Sequence, residues 1–112
     1  MNHILAKSLL KKIERLEAFE ERLDVRFENI SVKIYENNSF SVYCEIHSNK
    51  GSNLEKSIKI ECTAYDAEGQ ILEVKNRYVL KDNFFGFEIL EFYFEDGGIA
   101  DKISKLRIYP KL

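Results

Sequence analysis

The sequence predicts a mainly β protein, an antiparallel sandwich with one amphipathic α-helix at its N-terminus. Three observations carry that expectation. The hydrophobic rhythm switches near Asp24 from a repeat of three to four residues to strict alternation. Turn-forming clusters then recur at intervals of about ten residues, the spacing of an all-β fold. A chain of 112 residues, 45% hydrophobic and 32% charged, has material for one core and no room for a second.

The helical period occupies residues 3–23. Leu5, Leu9, Ile13, Leu16 and Leu23 fall on one stripe, Leu10 and Phe19 flank it, and neither Gly nor Pro interrupts it. One helix of about 30 Å is expected from the usual rise per residue. Residues 1–24 then form an N-terminal amphipathic helix and 25–112 an antiparallel β domain, together one folding unit. Lys7, Lys11, Lys12 and Arg15 crowd the first half of the helix, and Glu17, Glu20, Glu21 and Asp24 the second. A helix macrodipole favours the opposite order. An antiparallel copy would set plus against minus, so Leu5, Leu9, Ile13, Leu16 and Leu23 are the candidate homodimer stripe. Packing of the stripe on the chain's own sheet is the alternative.

Beyond Asp24, Ile30, Val32 and Ile34 alternate with Ser31, Lys33 and Tyr35. Phe40, Val42, Cys44 and Ile46 alternate with Ser41, Tyr43, Glu45 and His47, and Ile58, Ile60, Cys62 and Ala64 with Lys59, Glu61, Thr63 and Tyr65. This is the signature of antiparallel strands with one buried face. Residues 36–39 and 66–69 read as hairpin turns and residues 48–53 as a polar loop. Ile71 to Leu80 is apolar in both phases. Phe87 to Phe94 is apolar almost throughout and reads as a central strand covered on both sides. Ile103 to Tyr109 is the last strand, closed by Pro110.

The stretch Ser57 to Leu72, in which a strand enters the turn Tyr65-Asp66-Ala67-Glu68-Gly69 and an apolar strand leaves it, and the final Leu106-Arg107-Ile108-Tyr109 carry a resemblance. Over residues 30–109 the chain resembles the FxLYD-type and late-embryogenesis-abundant-type bacterial immunoglobulin-like domains. The resemblance implies an immunoglobulin-like antiparallel β-sandwich with accessory or binding roles, and it transfers no catalytic residue. The chain departs from the pattern at Lys81-Asp82-Asn83-Phe84, where a Pro-Gly loop is usual. A cystatin-like α+β arrangement, one helix wrapped by an antiparallel sheet, fits the same order of elements.

Composition excludes several functions. A formal net charge of −2 lacks the concentrated positive field that phosphate backbones require, so no nucleic acid is expected as partner. No apolar run approaches the length of a membrane span, nor of a signal peptide, so a cytoplasmic location is expected. Triad chemistry needs a nucleophile held against an oriented His. Only His3 and His47 are available, and His47 points away from Cys44 by strand alternation. The same alternation defeats a Cys44/His47 metal pair, and Glu95-Asp96-Gly97-Gly98 lacks the spacing of a calcium loop. No catalytic residue, metal ligand or cofactor is expected, and Cys44 and Cys62 read as small buried hydrophobes.

What remains is surface. Tyr35, Tyr43 and Tyr65 share the outward phase of their strands and form a polar-aromatic face if those strands share a sheet, either open to a partner or covered by the helix. Phe84 and Phe85, around Gly86, either enter the core or make an apolar loop. The expected function is a non-enzymatic interaction module for a protein partner or for itself. The alternatives are a chaperone-like carrier or small enzyme using a cleft near the helix, and a structural subunit of an assembly.

Overall fold

A computed structural model describes residues 3–112. The chain runs α1 (His3–Lys11), β1 (Ile13–Arg15), α2 (Glu17–Arg22), β2 (Val25–Ile34), β3 (Phe40–Ser48), β4 (Ile58–Tyr65), β5 (Ile71–Val79), β6 (Phe87–Phe94) and β7 (Lys105–Lys111). The strands form a four-stranded sheet in the order β1-β7-β4-β5 and a three-stranded sheet in the order β2-β3-β6. The fold is therefore a β-sandwich, mainly β with an N-terminal helix. The cystatin-like alternative fails, because two sheets enclose the core and no single sheet wraps a helix.

The alternation that set the strands also sets the core. Phe40, Val42, Cys44 and Ile46 from β3 face Ile58, Ile60, Cys62 and Ala64 from β4 across the sandwich, all buried. Phe40 and Phe94 stack with ring centroids 4.7 Å apart. Cys44 and Cys62 are buried and unpaired, and desolvation pushes both thiols up, Cys44 to about 12. The turns are held by their own side chains. The carboxylate of Asp66 accepts from the amides of Glu68 and Gln70, both at 2.9 Å, while Gly69 takes a φ of 80°. Gly97 lies so close to the β2–β3 hairpin that an added Cβ would sit 1.9 Å from the carbonyl oxygen of Asn37.

The N-terminal segment corrects the expectation of one helix over 3–23. Residues 1 and 2 of the expected 1–24 element lie outside the described residues. Helix α1 stops at Lys11, and the chain straightens so that Ile13, Glu14 and Arg15 pair in parallel with Leu106, Arg107 and Ile108 of β7. The amide of Leu106 donates to the carbonyl of Lys12 at 3.0 Å. Without β1, strand β7 would present an unpaired edge beside a filled core, so sheet pairing overrides a helix propensity worth only tenths of a kcal/mol per residue. The chain then turns into α2, fixed by Glu20, whose carboxylate is 3% exposed. It accepts from Arg15 Nε at 3.1 Å and Nη2 at 2.5 Å, and from the Phe27 amide at 3.1 Å.

The candidate dimer stripe is spent on this arrangement. Leu9 is fully buried in the sandwich core, and Leu5, Ile13 and Leu23 pack against that core. Leu16 lies at the start of α2. The five residues belong to three elements rather than to one helical face, so a dimer through that face is not available to this fold.

Candidate functional site

The outer face of β2-β3-β6 carries the densest set of polar and aromatic side chains that the sequence singled out. Pairing fixes its rows: Arg26, His47 and Phe87; Glu28, Glu45 and Ile89; Ser31, Tyr43 and Glu91; Lys33, Ser41 and Tyr93. Opposed residues in an antiparallel pair project to the same side, which places one residue of each strand in every row.

At one end of the face, hydroxyl groups converge on a carboxylate. Ser41 Oγ donates to Glu91 Oε2 at 2.6 Å, and Tyr43 OH donates to the same oxygen at 3.2 Å. The hydroxyl of Tyr35 lies 3.3 Å from Ser41 Oγ and 3.4 Å from Tyr43 OH. Its ring meets the Tyr93 ring edge-on at 5.9 Å, and the ammonium of Lys33 sits over it at 5.4 Å. The hydrogen bond with Tyr35 is the largest cause that pushes the Tyr43 phenol up to about 12, followed by burial and by the Glu91 carboxylate. Tyr35, Glu36, Asn37, Ser39, Glu91 and Tyr93 line an open hollow of about 750 Å³.

The other end sets exposed Phe87 and Ile89 beside the charged groups Arg26, Glu28, Glu45 and His47. Phe87 stacks on the imidazole of His47 at 5.2 Å, and Ile89 beside it is 63% exposed. Nε2 of His47 lies 2.8 Å from Glu45 Oε1, and this contact is the first cause that holds the Glu45 carboxyl below its usual range. His47 is thus engaged with Glu45 and stands three rows from Ser41. The Ser41 hydroxyl is engaged by the Glu91 carboxylate and, at 3.3 Å, by the Tyr35 hydroxyl. Among the described residues no cluster of His, Cys, Asp and Glu is placed to hold a metal ion. The arrangement suits recognition: rigid aromatic area with fixed hydrogen-bonding tips on a packed sheet.

Tyr35 and Tyr43 are brought together here, but Tyr65 is not. It lies on the four-stranded sheet, with the Lys105 ammonium and Arg107 guanidinium over its ring at 5.0 and 5.4 Å. Phe84 and Phe85 also part company. Phe84 enters the core at 4% exposure, whereas Phe85 is 83% exposed. Phe87, Ile89, Glu91 and Tyr93 were missed, because β6 reads as a central strand and is in fact the outer strand of its sheet. The signal available was Glu91, a charge in phase with Phe87, Ile89 and Tyr93.

The cleft expected near the helix is a hollow of about 240 Å³ beside the end of α2, lined by Arg22, Leu23, Lys50, Leu54 and Lys56 among others. Lys50 there is committed to Glu55 and, at 3.4 Å, to Asp24. No helix among the described residues is long and apolar enough to cross a membrane. No protein-family model matches the chain, and no curated protein matches it either.

Proposed function

We propose that the chain is a non-enzymatic interaction module that binds an extended segment of a protein partner on the outer face of β2-β3-β6. The observation that supports this reading is the pairing of exposed Phe87, Ile89 and Tyr93 with the ordered Ser41–Tyr43–Glu91 cluster on one rigid sheet. Aromatic rings contribute contact area at little entropic cost, and the carboxylate and hydroxyls fix orientation. Strand β6 ends its sheet with Arg77 bonded to the Glu91 carbonyl, so an extended partner segment is held by the side-chain rows of the face rather than by strand addition. An immunoglobulin-like domain of the FxLYD type is the family reading. It is supported by the division of strands into sheets of three and four and by the Asp66-capped turn. A cytoplasmic site of action is supported by the two buried thiols, unbonded although they lie on facing sheets.

Peptides selected from a random display library against the full chain test the proposal. Selected peptides are expected to perturb the NMR amide resonances of Ser41, Tyr43, Glu91 and Tyr93. Tyr93→Ala is expected to weaken binding about tenfold or more, the usual cost of removing a central aromatic anchor. Perturbations confined to the four-stranded sheet would refute the assignment of the face.

A further inference from the structure

The hollow at the turn end of the β2-β3-β6 face has walls of two kinds. Tyr35 and Tyr93 meet edge-on, 73° from parallel, so their rings form a corner rather than a stack. The same lining includes the carboxylates of Glu36 and Glu91 and no cationic side chain. Aromatic faces carry the negative part of a quadrupole and carboxylates a full charge, so both kinds of wall attract a cation.

The Glu91 carboxylate is prepared to receive one. Fully buried Ser41 and the Tyr43 hydroxyl both donate to Oε2, which fixes the group on the sheet. Oε1 takes no hydrogen bond or ion pair among the described residues, and neither does the carboxylate of exposed Glu36. Two cations stand nearby, and neither neutralises the hollow. Arg77 reaches the main-chain carbonyl of Glu91 rather than its carboxylate. Lys33 rests over the Tyr35 ring at 5.4 Å, with no ion pair among the described residues. Its position shows what this corner attracts, and it leaves the Tyr93 ring, 44% exposed, without a cation. An ordered acceptor oxygen also discriminates among cations. A primary ammonium has N–H groups to donate to Glu91 Oε1, which a quaternary ammonium lacks. Its compact charge on a long flexible stem reaches into an open hollow of about 750 Å³ from a segment laid along the face.

We infer that the hollow takes the ammonium of a lysine on the partner segment, held against the Tyr93 ring and the carboxylates of Glu91 and Glu36. This preference rests on the interaction face proposed above and supplies the chemistry of one side chain that its partner carries.

NMR titration of the full chain with Nα-acetyl-lysine N-methylamide, beside its uncharged norleucine analogue, tests it. The lysine compound is expected to shift the amides of Tyr35, Glu91 and Tyr93 saturably, and less as salt is added; the norleucine compound is not. Glu91→Gln, of native circular dichroism, is expected to weaken the lysine compound about fivefold or more by removing the acceptor's charge. Exposed Glu36→Gln, which breaks no hydrogen bond of the fold, is expected to weaken it about twofold. Lys33→Met is expected to strengthen binding about twofold by removing a competing ammonium, a gain that no loosening of the sheet would produce. Equal shifts from the lysine and norleucine compounds, or none, overturn the inference, as do lysine shifts outside the hollow or tighter binding of the arginine analogue. Selected peptides that seat on the face without sharing a lysine would overturn it and leave the interaction face standing. Saturable lysine binding in the hollow with no peptide on the face would instead overturn the extended-segment reading and leave the ammonium site standing.

Discussion

Tyr43 illustrates how much of this protein's chemistry resides in single hydroxyls. Its phenol is raised from an ordinary 10.0 to about 12, first by its bond to Tyr35 and then by burial and Glu91. The folded protein therefore holds a proton that the unfolded chain releases. The Tyr43 contribution is complete below pH 10 and is lost as pH rises toward about 12, whereas Tyr35, held below its ordinary range by its bonds with Ser41 and Tyr43, contributes with the opposite sign. Absorbance titration of tyrosinate is expected to find one phenol ionising late, and Tyr35→Phe is expected to bring it back toward its ordinary range. A Tyr43 that titrates normally in the wild type would contradict the cluster geometry. The tyrosines also mark what a sequence can convey. Tyr35 and Tyr43 were legible as outward residues because their strands alternate cleanly. Tyr65 has the same phase, but phase alone does not say which of two sheets a strand joins, and that sorting put it among Lys105 and Arg107.

At the scale of elements, the longer strands and an N-terminal helix were legible, whereas β1 reads as helix and Pro110, expected to close the last strand, pairs within β7. Alternation placed β3 and β4 to within a residue, and the turn at Asp66 to Gly69 took the form its residues dictate. The apolar period of residues 3–23 is genuine, yet three of those residues are extended, because period reports which side chains go inward and not which backbone conformation carries them there. The charge order that looked unfavourable for one helix suits two. Lys11 closes the last turn of α1, while Glu17 and Glu20 open α2 and Arg22 ends it, as each macrodipole prefers. Both helices are consequently fastened to the sandwich. Leu9→Ala removes a fully buried side chain and is expected to lower unfolding free energy by about 3 kcal/mol. Urea denaturation measures this, and a loss under about 1 kcal/mol would show that α1 is not part of the core.

At the scale of the whole molecule, the N-terminal segment acts as the third wall of the sandwich. It reaches both sheets, through β1 on β7 and through α1 and α2 on β2. Removing residues 1–24 is expected to expose Phe27, Ile108 and their neighbours and to abolish cooperative thermal unfolding. Retention of a sharp transition by the shortened chain would refute a closing role. The molecule measures 38 × 28 × 19 Å, and the N-terminal segment seals one flank of it. The position of β7 has a consequence for biogenesis. It is translated after every other strand, yet it lies between β1 and β4. Strand β1 therefore has no sheet partner until the strand farthest from it along the described chain is present, so this pairing closes the widest loop of the fold.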